Sequence, residues 1–201
     1  MKVEITASLV NELRQRTGAG MMDCKNTLKE SEGDMEKAIE LLRTKGLASA
    51  AKKLGREAKS GQIFSYIHHD SRLGVLLELN CETDFVARTD EFKQLGNEIC
   101  LQIAAESPTY VAREHVPAEM IEKEKVIYRE LAISEGKPES AVEKIIASKV
   151  ENFYRTNCLL EMLNVRDTSK TIGSLVTTMI SKVGENIRVR RFARFRLGEE
   201  I

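Results

Sequence analysis

The chain has 201 residues, 42% of them hydrophobic, which suits one or two globular domains able to bury a core. Its 31 basic and 31 acidic side chains cancel, so net charge supplies no global pull towards nucleic acid or an anionic membrane. No tryptophan and 5% aromatic residues point to helices rather than a β-sandwich.

Residues 1–46 read as a module of three short helices. Thr6 can cap the first, which carries Leu9, Val10 and Leu13, and Thr17-Gly18-Ala19-Gly20 breaks it with two glycines that tolerate positive φ. The second starts near Met21 and carries Cys24 and Leu28; Glu32-Gly33-Asp34 ends it. Asp34 then caps a third with Met35, Ala38, Ile39 and Leu42 at helical spacing, and Gly46 fits its end. Residues 47–60 hold strong helix formers with little apolar surface, so a solvated linker helix is predicted there.

The core, 61–201, begins with strand patterns at 61–68 and 73–80 joined by His69-Asp70-Ser71-Arg72. Helices are predicted at 90–106, 118–135, 139–156 and 169–182, with Pro117 and Pro138 near two of their starts. In the last strand Ile187, Val189, Ala193, Phe195 and Leu197 alternate with Arg188, Arg190, Phe192, Arg194 and Arg196, and this strand should pair with the hairpin. The fold class is α+β: a helical bundle, a linker helix, and an antiparallel sheet with packed helices.

Cys24, Cys81, Cys100 and Cys158 lack C-x-x-C spacing and sit in periodic segments, as buried thiols of a reducing compartment do. The first fifteen residues contain Glu4 and Glu12 and no long apolar run, so neither a secretory signal nor a spanning helix is expected, and a cytoplasmic setting is the expectation.

No enzyme constellation assembles, and no catalytic residue is assigned. Gly18-Ala19-Gly20 lacks the third glycine and preceding strand of a dinucleotide site, and Lys170-Thr171 lacks phosphate-loop glycines, so no bound nucleotide or cofactor is expected. His68, His69 and His115 lack metal-ligand spacing, adjacent His68 and His69 on one strand should face opposite ways, and no metal is expected. Five arginines between Arg188 and Arg196 make an RNA-binding strand conceivable, but the balanced charge favours a solvated face with acidic partners. Met21 and Met22 lie about 100° apart on a helix, so one should pack inward while the other, with Arg14, offers an adaptable contact.

The segment Cys81-Glu82-Thr83-Asp84-Phe85-Val86-Ala87-Arg88 sits where a strand hands over to a helix. By packing preference alone Phe85 tucks under its own helix while Thr83, Asp84, Thr89 or Asp90 caps it. However, E-L-N-C-E-T-D-F-V-A-R-T at 78–89 resembles the core signature of the elongation factor Ts family, nucleotide-exchange factors of the translational GTPase elongation factor Tu. L-R-Q-R-T-G-A-G-M-M-D-C-K-N-T-L at 13–28 and K-V-G-E-N-I-R-V-R-R-F at 182–192 resemble two further blocks of that family.

The resemblance implies a ubiquitin-associated type of N-terminal bundle and a binding role without bond chemistry. Asp84 and Phe85, flanked by Thr83 and Val86, would wedge against the helices that support the GTPase's magnesium site. Arg14, Met21 and Met22 would grip another helix, with Val183, Gly184 and His68 as further contacts. The single hairpin-plus-helix core, where longer members carry two halves, implies a homodimer through the core. L-E-M-L-N-V at 160–165 departs from the family's commoner pattern, which leaves the 161–168 path open. A generic peptide-binding adaptor using the bundle is a further alternative.

Overall fold

The computed structural model describes residues 5–199; Met1–Glu4, including the Glu4 used above, and positions 200–201 lie outside the described residues. Eight α-helices and three strands form within that range, in the α+β arrangement that the patterning implies. Chain contacts gather them into two compact units. The first comprises the described chain up to Gly61, with Asn80–Phe92 and Val176–Arg188. The second comprises Gln62–Leu79, Lys93–Leu175 and the chain from Val189.

The first unit starts with α1 (Ala7–Thr17), α2 (Met21–Glu30) and α3 (Met35–Ala51). Thr6 caps α1 by accepting the Leu9 amide hydrogen, and Gly18 at φ +68° closes it by donating to the Arg14 carbonyl. Asp34 caps α3 through the Lys37 amide. Val10, Leu13, Cys24, Leu28 and Ala38 are buried together with Ile39 and Leu42 packed on them, so the three apolar stripes close a common core.

Contrary to expectation, Gly46 does not end the third helix and no separate helix spans 47–60. The helix runs through Gly46 to Ala51, and residues 52–59 are irregular. The glycine serves close packing instead: a Cβ there would stand 2.7 Å from the Ser181 Oγ. Past Ala51, Asn186 takes over the released carbonyls, its side-chain amide donating to Leu54 O and Arg56 O at 3.3 and 2.7 Å.

The sheet has the order β1 (Ser60–Ile67), β2 (Leu73–Cys81), β3 (Ile187–Arg196). The Leu197 amide bonds Arg72 O while the Asn186 amide bonds the Glu82 side chain, so β3 runs antiparallel to β2. In the second unit, Val75, Leu77 and Leu79 of β2 are buried, as are Leu95, Ile99 and Ile103 of α5 (Asp90–Glu106), which sets the sheet's inner face. A one-turn helix, α4 (Asp84–Ala87), precedes α5.

Two long helices, α6 (Ala118–Ser134) and α7 (Glu139–Asn157), pair around Ala132, Val142 and Ile146. The segment before α8 (Ile172–Val183) is folded back on itself. Asn164 is buried; its Oδ1 accepts the Arg166 and Asp167 amides and its Nδ2 donates to Glu98, while Gln102 holds Leu163 O and the Val165 amide. Side-chain bonds, two of them local and the others reaching back to α5, thus replace regular structure through most of 161–168.

The alternation expected for the last strand holds only in its first half. Ile187 and Val189 are buried, Arg190 and Arg191 are both exposed, and then the phase inverts. Arg194 is turned inward, with its side chain 12% exposed, whereas Phe195 and Leu197 are 65% and 71% exposed. Arg190 and Arg191 both reach the Glu78 carboxylate, at 3.0 and 2.7 Å. Two consecutive residues on one strand facing one on its neighbour is the pattern of a β-bulge, which shifts every later side chain to the opposite face.

Candidate partner-binding site

Of the ten residues singled out for partner binding, nine lie in the first unit and His68 lies in the second. The central feature is the turn between β2 and α5. Cys81 is fully buried and donates from its thiol to Thr83 O at 3.0 Å, which fixes where the strand stops. Thr83 caps α4, its hydroxyl accepting the Val86 amide at 3.4 Å, and Thr89 caps α5 through the Phe92 amide.

Within α4, Ala87 is the buried side chain. Phe85 lies about 200° around the helix from it, so anchoring Ala87 inward drives the ring outward. Phe85 is 82% exposed, against the packing preference that would tuck it under its own helix. Asp84 beside it is exposed and pairs with Arg88 one turn on, at 2.8 Å. Val86 is half-buried.

A network that no local signal announces holds this turn in place. The Glu185 carboxylate accepts the Thr83 amide at 3.0 Å and the Thr83 hydroxyl at 2.7 Å. In return, Glu82 accepts the Asn186 amide at 2.6 Å, with Arg56 3.7 Å from the same oxygen. Glu185 and Asn186 lie inside the K-V-G-E-N block, yet their pairing with residues more than one hundred positions away leaves no trace in periodicity. Gly184, at φ +81°, takes the left-handed conformation just past α8, donating to Ile180 O; Val183 before it is half-buried.

On the bundle, Arg14 is exposed in the last turn of α1. Neither methionine packs inward as expected: Met21 is 44% and Met22 64% exposed. The core face of α2 begins at Cys24, and the first turn, capped only by the backbone of Gly20, projects beyond it.

His68 and His69 also differ from expectation. Strand β1 ends at Ile67, so the two-residue period stops before them, and their rings meet edge to face with centroids 4.3 Å apart. Tyr66 and His68 are hydrogen-bonded through the phenol and Nδ1 at 2.8 Å. His68, His69 and Asp70 offer ligand atoms within 4.8 Å of one another, making them, among the described residues, the group with reach for a borderline transition ion. Asp70 already accepts the Arg72 amide, a bond that holds its carboxyl below the usual range.

No helix among the described residues is long and apolar enough to cross a membrane. The molecule is defined by an α+β scaffold with exposed apolar side chains on a helical bundle and on a strand-to-helix turn. The family pattern described as Elongation factor TS matches residues 7–199. The chain is 61% identical to the elongation factor Ts of Fervidobacterium nodosum over 98% of its own length and 100% of that relative. It is 57% identical to that of Caldanaerobacter subterraneus subsp. tengcongensis, over 98% of each chain, and 56% to that of Thermoanaerobacter pseudethanolicus, over 98% and 97%. The chain belongs to the elongation factor Ts family, a family of translation elongation factors.

Proposed function

We propose that this chain is the guanine-nucleotide exchange factor of elongation factor Tu in the cytoplasm. Asp84 and Phe85, framed by Thr83 and Val86, enter the GTPase and disturb its magnesium and phosphate site. Arg14, Met21 and Met22 grip a second helix of the same domain, and Val183, Gly184 and His68 add contacts. The energetics are linkage: a factor that binds the nucleotide-free GTPase more tightly than the GDP form weakens GDP binding by the same ratio. GDP leaves faster without any covalent step, and incoming GTP displaces the factor.

The observation that carries this reading is the 82% exposure of an aromatic ring on a turn fixed by buried Cys81 and Ala87. A ring left in water on a well-anchored turn is a contact waiting for a pocket, and aromatic anchors dominate interface energetics. Stopped-flow release of fluorescent GDP from elongation factor Tu tests it. The chain should accelerate release, and Phe85→Ala should lower the maximal stimulated rate by roughly tenfold or more while leaving the protein folded. Wild-type stimulation by that variant would remove the wedge.

A homodimer through the core belongs to the same proposal. Ile63 and Ile67 of β1, Leu76 of β2, Phe195 of β3 and Leu197 just past it are all exposed. Gly74, whose added Cβ would lie 3.1 Å from Ile67, keeps that surface flat. Such a face suits a second copy, since a two-fold axis lets one apolar sheet surface cover itself. The RNA reading is less favoured: Arg190 and Arg191 are paired with Glu78, and Arg194 with Glu199.

A further inference from the structure

We infer that Glu185 is a positioning residue for the Asp84–Phe85 wedge, acting through Thr83; the inference rests on the exchange reading and names the part of the chain that sets the wedge's aim. Helix α4 is a single turn of four residues, a length that does not hold itself in water. Something outside it must fix its direction.

Both Glu185 oxygens are committed to Thr83, one to the amide and one to the hydroxyl. By accepting that hydroxyl's proton, Glu185 leaves the Thr83 oxygen a lone pair for the Val86 amide, so the cap of α4 is itself oriented by the carboxylate. The adjacent residues answer in the opposite sense, with Glu82 accepting the Asn186 amide. One glutamate from each of two distant segments therefore accepts a backbone amide of the other. Asn186 extends the tie to the chain leaving α3 through Leu54 O and Arg56 O. Gly184 makes the geometry possible, because its φ of +81° lets the chain turn back immediately after α8 and deliver Glu185 to the turn.

Both Glu185 oxygens already hold the Thr83 turn, whereas Phe85 is the exposed ring that the turn aims, which separates the two roles. Loss of the clasp leaves the ring intact but lets α4 sample other directions. Apparent affinity then falls in proportion to the competent fraction, whereas the rate reached once bound is unchanged.

The test compares wild type, Glu185→Ala and Glu185→Gln in two measurements: amide hydrogen exchange of residues 83–88 in the free protein, and GDP release from elongation factor Tu across a range of factor concentration. Glu185→Ala should speed exchange in that segment selectively and raise the half-saturating concentration roughly tenfold, with the maximal rate kept. Glu185→Gln retains an acceptor without the charge and should shift the same way by about threefold, which keeps the test decisive if the alanine variant fails to fold. Unchanged half-saturation and unchanged local exchange in a folded variant overturn the inference. So does a fall in maximal rate at unchanged half-saturation, which would make Glu185 a direct contact. If the wild-type chain itself fails to stimulate release, the exchange reading falls and this inference with it.

Discussion

The ring of Phe64 lies so close over Gly96 that a Cβ added at that glycine would stand 2.5 Å from three of its carbons. Strand β1 and helix α5 meet here with no room for a methyl group, and both residues are buried. On helix propensity alone Gly96→Ala would gain about 1 kcal/mol. Overpacking against a buried ring costs about 1–3 kcal/mol, so the clash wins. Thermal or urea unfolding should find Gly96→Ala less stable than wild type, and a stabilised variant would contradict the packing described.

Phe195→Asp should split the proposed homodimer. Each copy loses about 2 kcal/mol of apolar burial, doubled by the two-fold axis, which weakens association roughly a thousandfold. Sedimentation at micromolar concentration should report two chains for the wild type and one for the variant. A monomeric wild type would leave the exposed sheet face without its proposed cover.

The four cysteines should resist thiol reagents in the native protein. All four are buried, and desolvation pushes the thiols of Cys81, Cys100 and Cys158 to about 11, 12 and 11, with the Glu185 charge adding to the rise at Cys81; Cys24 is raised too. The thiolate is the reactive form, so at pH 8 labelling should wait for unfolding. Mass spectrometry after brief exposure to a maleimide, with and without denaturant, reads this directly; rapid native labelling of any one would contradict its burial.

The loop before α8 should loosen in acid. Hydrogen bonding from Lys170 first, and from the hydroxyl and amide of Ser169, lowers the Asp167 carboxyl from 3.8 to about 2. A group depressed on folding contributes fully above its unfolded value and loses that contribution as pH falls towards the folded one. Amide protection along 164–171 should therefore decline between about pH 4 and pH 2, and Asp167→Asn should remove that pH step. An identical acid profile in the variant would assign the loosening elsewhere.

Much of this fold is legible in the sequence because its cues are local. The strands near 61–68 and 73–80 and the helices α5, α6 and α7 appear within a residue or so of their expected limits, since each carries a clean period and is bounded by Gly, Pro or a capping residue. Gly46 misleads because a glycine demanded by the nearby Ser181 looks the same, in sequence, as one demanded by a helix end. The outward aim of Phe85 is hidden for a related reason: it follows from the inward phase of small Ala87 in a one-turn helix too short to show a period. The Thr83–Glu185 tie is hidden because chain separation hides it. Family signatures brought both residues into view, but only geometry joins them.

The doubled arginine at 190–191 gives one strand two allegiances. Up to it the chain commits its aliphatic side chains to the protein's own interior; beyond it the same chain spends Phe195 and Leu197 on the outside and draws a guanidinium inward. Because both arginines stand opposite Glu78, the strand takes in one residue more than its neighbour at that point, and its later side chains exchange faces. The surface offered to other molecules is thus governed by residue count as much as by residue type.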